Sequence, residues 1–230
     1  MKRLLNILLG ALVLVSCQES LLSEQGASEC VLELDITRAD VPVVVSRAAD
    51  AELAVTITDA NGQLRAYYSG GYAPDKVSLA PGVYTVCAYS ENQDTWHLAN
   101  QGKGEPCYYA TLQVILEPDS RAQAIMSVPM TNYAVGLKLP SRFGEFFKSY
   151  QFVLKSGNRE VAIREEEKAY FSVEDGGFTY SLTAINNDGE SHAHVPMLFP
   201  DIVSGKLFLL DYAYDIELVQ DEFKVEVKTH

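Results

Sequence analysis

The sequence predicts an all-β protein arranged as two β-sandwich domains in tandem. Three observations carry this expectation. Apolar and polar residues alternate with period two along most of the chain, turn-forming dipeptides separate the alternating runs, and almost no segment shows helical spacing. The length of 230 residues suits one large domain or two small ones. Hydrophobic residues at 47% and charged residues at 21% supply an ordinary globular core. Charge does not separate the halves, since residues 30–129 and 130–230 each carry a net −6.

Residues 1–16 read as an export signal. Lys2 and Arg3 precede a twelve-residue apolar run from Leu4 to Val15. The run is too short for a membrane-spanning helix, which needs about 20 residues. Leu14-Val15-Ser16-Cys17 looks like a bacterial lipobox, which makes Cys17 the lipidation site and the lipid anchor the membrane partner. The competing reading is an ordinary signal peptide with an incidental cysteine. Gln18 follows where an inner-membrane protein resembling this class would carry aspartate, so the expected location is the outer membrane, with its exposed face left open. Residues 17–29 read as a flexible acidic tether, with Glu19, Glu24 and Glu29 and no cation. Loss of Lys2 and Arg3 takes the net charge from −13 to −15, which argues against nucleic acid as a partner.

The strands follow in order. Leu32, Leu34 and Ile36 alternate with Glu33, Asp35 and Thr37; Leu53, Val55 and Ile57 repeat the pattern and run into Asp59-Ala60-Asn61-Gly62, a hairpin turn whose partner strand is Leu64–Tyr68. Pro81-Gly82 turns the chain into Val83–Tyr89. Strands at Tyr108–Leu116 and Ala122–Val128 complete residues 30–129. Pro129 and Met130 mark the expected seam. Residues 130–230 offer Ala134–Leu139, a short helical crossover from Ser141 to Lys148 capped by Ser141, and strands at Tyr150–Lys155, Val161–Arg164, Ala169–Val173, Phe178–Ile185, Lys206–Asp211, Tyr212–Val219 and Phe223–Lys228. Asn187-Asp188-Gly189 is a second hairpin turn, a faint echo of Asp59–Gly62 in the first half.

Chemistry-bearing residues are sparse. The four histidines, His97, His192, His194 and His230, form no recognisable catalytic triad or Cys/His pair, and no glycine-rich phosphate loop is present, so no catalytic residue and no cofactor are expected and the chain reads as non-enzymatic. His192-Ala193-His194 has a spacing a metal could use, but lacks a third ligand nearby and reads as solvated loop. Asp59–Gly62 lacks the later ligands of a calcium loop. Glu165-Glu166-Glu167 reads as a solvated turn or edge guard. Beyond Cys17 the cysteines are Cys30, Cys87 and Cys107; Cys87 and Cys107 are placed for a bridge, while the alternative makes all three small buried hydrophobes. Tyr67, Tyr68, Tyr72 and Trp96 are candidates for a glycan-stacking platform, against the plainer reading of tyrosines as cross-strand partners.

The runs Arg47-Ala48-Ala49-Asp50, Val55–Gly62, Leu79–Ala88, Pro106-Cys107-Tyr108-Tyr109 and Thr131–Val135 resemble an uncharacterised lipoprotein family of gut Bacteroidetes, a domain of unknown function similar to fimbrillins. The resemblance implies transthyretin-like or Greek-key sandwiches and a structural or adhesion role at the cell surface as a fimbrial component, with other fimbrial or surface subunits as partners. It further implies a site for proteolytic processing between Arg47 and Ala48, which would discard the first strand and open a groove for a strand of another subunit. The alternative is that Arg47 is a solvated loop residue and the lipid stays on, as suits an anchor subunit or a monomer. Ala110, where glycine is expected, and Cys87 within a main strand depart from the pattern. The alternative function is a glycan-binding surface lipoprotein of a polysaccharide-utilisation system.

Overall fold

The structure is a computed structural model, and it describes residues 29–39, 53–214 and 223–230. The signal and tether, Cys17, and the Arg47-Ala48 pair therefore lie outside the described residues.

The fold is all-β. In the first half, β1 (Cys30–Arg38), β2 (Leu53–Asp59), β3 (Leu64–Tyr68), β4 (Lys76–Leu79), β5 (Gly82–Ser90), β6 (Tyr109–Leu116) and β7 (Arg121–Val128) form two sheets, ordered β4-β1-β7 and β3-β2-β5-β6. The second half contains β8 (Tyr133–Lys138), β9 (Phe147–Ser156), β10 (Arg159–Ile163), β11 (Lys168–Phe171), β12 (Phe178–Asn186), β13 (Ser191–Phe199), β14 (Leu207–Tyr214) and β15 (Phe223–Thr229). Their orders are β10-β9-β12-β13 and β11-β8-β14-β15. Most pairs are antiparallel. The exceptions are β1 with β7 and β8 with β14, one in each half.

The alternation read from the sequence becomes two cores. Leu32, Val55, Ile57, Val86, Ala88, Ala124, Met126 and Val128 are buried in the first. The second is aromatic: Tyr133, Phe152, Phe171, Phe178, Tyr180, Phe208 and Tyr212 meet there. Tyr133 lies near Phe171, Phe178 and Phe208, with ring centroids 5.8–6.0 Å apart. Its buried hydroxyl pairs with Ser156 Oγ at 3.0 Å, and Ser156 Oγ also donates to the Gly177 carbonyl. Gly177 is required there, because a Cβ would sit 2.1 Å from the Phe199 carbonyl oxygen.

The two hairpins that echo one another in sequence are the same turn. Asp59 Oδ1 accepts from the Gln63 amide, as Asn186 Oδ1 accepts from the Glu190 amide. Gly62 N–H donates to the Asp59 carbonyl, and Gly189 N–H to that of Asn186. The Asp59 carboxyl is held below its usual range by the bond from the Gln63 amide, with the Arg65 guanidinium and the Asn61 amide adding to it.

Three expectations are corrected. The crossover helix is a single turn, α2 (Phe143–Phe146), preceded by Arg142 with no side-chain cap; Phe147 already belongs to β9, because Phe143 and Phe147 stack at 4.7 Å inside the core. Lys206–Asp211 and Tyr212–Val219 do not begin as two strands, since β14 runs unbroken through Tyr212 and alternates in burial across that point. The segment read as a histidine loop is the nine-residue strand β13. The sequence reading also omits β4, whose four residues are too few to show a period.

Candidate functional site

The most heavily built polar region joins the two halves. After β5 the chain makes turns, then a 3-10 turn at Trp96–Leu98 and a four-residue helical turn, Ala99–Gly102. Asn100 and Gln101 hold positive φ of 52° and 62° within it, a conformation costly for residues with a side chain. Asn100 Nδ2 donates to the Gly104 carbonyl at 2.9 Å and fixes the bend. Gly104 has φ of 84°, and a Cβ would stand 3.3 Å from both the Trp96 ring and Tyr170 Cβ. A glycine lets this loop of the first half touch the second.

Arg159, the first residue of β10, reaches into that loop. Its guanidinium donates to the carbonyls of Tyr170 at 2.6 Å, Gly102 at 2.7 Å and His97 at 3.3 Å. It lies over the Trp96 ring at 5.2 Å and the Phe171 ring at 5.1 Å. Burial works against the guanidinium charge, and Asp175 favours it. The planar five-donor group meets oxygens of both halves at once, which a lysine ammonium does not reproduce. The Tyr170 amide donates to the Lys103 carbonyl at 2.8 Å, and Lys103 Nζ pairs with Glu167 at 2.7 Å. Burial pushes the Tyr170 phenol up to about 12.

Beside this clamp, Asn132 Oδ1 accepts from the Cys107 amide and its Nδ2 donates to the Glu105 carbonyl. Asn132 is only 3% exposed, so both bonds replace water that it cannot reach. Ala134, Tyr170 and Leu207, all beyond Pro129, pack into the core of the first half. One face of the β11-β8-β14-β15 sheet thus contributes to the first core while its other face lines the second, so apolar packing as well as Arg159 joins the halves.

The residues singled out from sequence distribute as follows. Trp96 is engaged by Arg159 at the joint. Tyr68 packs against the first core, whereas Tyr67 and Tyr72 are exposed at 51% and 81%. Adjacent strand residues point to opposite faces, so Tyr67 and Tyr68 cannot share a platform, and the four aromatics are not brought together. Cys30, Cys87 and Cys107 are free thiols. Cys87 of β5 lies beside Tyr109 of the neighbouring β6, while Cys107 is buried, where burial pushes its thiol up. His192 bonds to the Asn186 amide; His194 stacks on Tyr180 and meets Tyr212 edge-on. Among the described residues no three His, Cys, Asp or Glu side chains are grouped to hold a metal. The Glu165–Glu167 run is more than a solvated guard: Glu165 accepts from the Leu139 amide, and Glu167 ties the halves through Lys103.

Sequence reasoning missed Arg159, Asn132 and Lys103. A lone arginine opening a strand and a lone asparagine after Pro129 carry no spacing signal. The available hint was Trp96 in a polar loop, an aromatic that needed a partner.

The family profile described as "Domain of unknown function (DUF4493)" matches residues 24–228. No curated protein matches the sequence. Among solved structures, the tip fimbrial protein Mfa3 of Porphyromonas gingivalis, with a C-terminal truncation, is similar at 10% identity and a TM-score of 0.51, covering 87% of this chain and 99% of that one. A candidate cell adhesion protein from Bacteroides uniformis is similar at 10% identity and a TM-score of 0.50, covering 88% and 98%. At such identities the likeness is one of fold.

Proposed function

The chain belongs to the DUF4493 family, and on that footing we propose that it is a non-enzymatic surface lipoprotein, anchored in the outer membrane through Cys17, with a structural or adhesion role as a fimbrial component. The observation that carries this reading is the joint. Two β-sandwich cores are fastened by Arg159, Asn132 and the packing of Ala134, Tyr170 and Leu207 into the first core, which suits a rigid load-bearing unit. Fold likeness to a tip fimbrial protein and the lipobox at Leu14–Cys17 support it. Among the described residues no helix is long and apolar enough to cross a membrane. Replacing Cys17 with alanine should move the protein from the outer-membrane pellet to the soluble fraction. A variant that still pellets after a carbonate wash would refute the anchor.

A second reading, which excludes retention of the Cys17 lipid, is assembly through strand replacement, and one observation favours it. β1 is the middle strand of its sheet, between β4 and β7, and Leu32 within it is fully buried. Cleavage at Arg47-Ala48 and loss of β1 would separate β4 from β7 and leave a strand-sized slot for another subunit. Mass spectrometry of the native protein reads the outcome: an N-terminus at Ala48 supports replacement, whereas an intact acylated Cys17 peptide in all of the protein rules it out.

A further inference from the structure

A polar cleft of about 630 Å³ runs beside the joint, with Gln101 and Lys103 on the wall from the first half and β9 and β10 on the other side. Its size falls in the range of ligand sites, about 300–1,000 Å³. Five consecutive residues, Glu160 to Arg164, line it, so the cleft follows the edge of β10, a strand that pairs with β9 alone among the described strands. Peptide groups of that edge are available beside the side-chain amides of Gln101 and Gln151.

Three features narrow the ligand chemistry. The charges cancel, Lys103 and Arg164 against Glu160 and Glu167, inside a chain of net −13; such a lining selects neither anions nor cations. Of the apolar residues that border it, Phe152, Val161 and Ile163 are at most 9% exposed, which leaves the Ala162 methyl and the half-buried Tyr150 ring as its apolar surface, too little for a lipid or for the alternate side chains of a docked peptide strand. What remains is a mixture of donors and acceptors, matched by a ligand whose groups each do both.

The wall is also held in place. Arg159 grips the Gly102 carbonyl, and the Tyr170 amide grips that of Lys103. Of the four non-glycine residues with positive φ among those described, Gln101 lines this cleft, and Asn100 and Glu166 adjoin lining residues in the chain. Strain retained on both rims of one cavity is the pattern of a preorganised site.

We propose that the interdomain cleft binds a neutral oligosaccharide through Gln101, Gln151, Glu160 and the edge of β10. Its use in attachment rests on the adhesion reading above, whereas the binding itself does not. The test is calorimetric titration of the chain without its acylated cysteine, residues 18–230, with a panel of neutral gluco-, manno-, galacto- and xylo-configured hexasaccharides, and in parallel with a charged hexasaccharide and an extended hexapeptide. At least one of the panel should bind, and Gln151→Ala combined with Glu160→Ala should weaken it at least about tenfold, the loss of two hydrogen bonds. Both residues are exposed strand positions, so the melting temperature should hold, and Thr179→Ala on the same sheet should bind as the parent does. Failure of the whole panel, binding indifferent to the double variant, or preference for charged oligosaccharides or an extended peptide would each overturn the proposal. None of these outcomes bears on fractionation of the Cys17→Ala variant, so the two readings fail separately.

Discussion

The two halves solve the same packing problem with different side chains. The first buries mostly aliphatic and small residues between a three-stranded and a four-stranded sheet, whereas the second fills the space between two four-stranded sheets with rings. The three-stranded sheet depends on β1, since its removal leaves β4 and β7 with no neighbour in that sheet. In the second half the rings around Tyr133 and Phe178 touch strands of both sheets, so no single strand is the keystone. Strand replacement, as proposed above, would therefore act on the first half.

The largest effect should come from opening the ring cluster. Phe178→Ala removes a fully buried side chain in contact with Tyr133, Tyr180, Phe199 and Phe208, and should cost about 3–5 kcal/mol in urea denaturation. A loss below about 1 kcal/mol would mean that the second half does not rest on its rings.

Next is the joint itself. Arg159→Met keeps length and apolar contact but leaves the carbonyls of Tyr170, Gly102 and His97 without their donor, at a cost of about 2–3 kcal/mol. Scanning calorimetry should resolve the single transition of the parent into two, the first half melting earlier. One unsplit transition at the parent temperature would show that apolar packing alone couples the halves.

Ser156→Ala should cost about 1–3 kcal/mol, because the Tyr133 hydroxyl and the Gly177 carbonyl both lose their partner inside the core. Tyr133→Phe paired with it should recover part of that loss, and a double variant worse than the sum of the singles would contradict the assignment.

The smallest effect concerns pH. Burial against Tyr180 and Tyr212 holds the His194 imidazole below its ordinary 6.5. As pH falls through 6.5 the unfolded chain takes up this proton before the folded one does, so stability declines until the folded value is passed. His194→Phe should flatten the urea midpoint against pH in that window. An unchanged slope would place the sensitivity elsewhere.

Much of this architecture was legible in the residues, and the reasons are local. Period two at Leu32–Ile36 and Leu53–Ile57 reports one buried face, and Asp-Ala-Asn-Gly reports a turn whose hydrogen bonds lie within five residues. What escaped depends on distance. β4 is recognisable only beside β1, and β13 carries a bulge between Tyr180 and Leu182 of its partner strand, with Pro196 opposite, which interrupts its alternation. The helix expected from Phe143, Phe146, Phe147 and Tyr150 gave way to β9 because Phe147 is drawn into the sheet by its stack on Phe143. Arg159 and Trp96 are 63 positions apart, and nothing local to either announces the other.

The central claim, a rigid two-sandwich unit held at the cell surface by its lipid, is met most directly by antibody labelling of intact cells. An antibody raised against residues 130–230 should decorate unpermeabilised cells, and the signal should vanish with Cys17→Ala while the protein persists in the soluble fraction. Labelling that appears only after the outer membrane is opened, or that is indifferent to Cys17, would contradict the account.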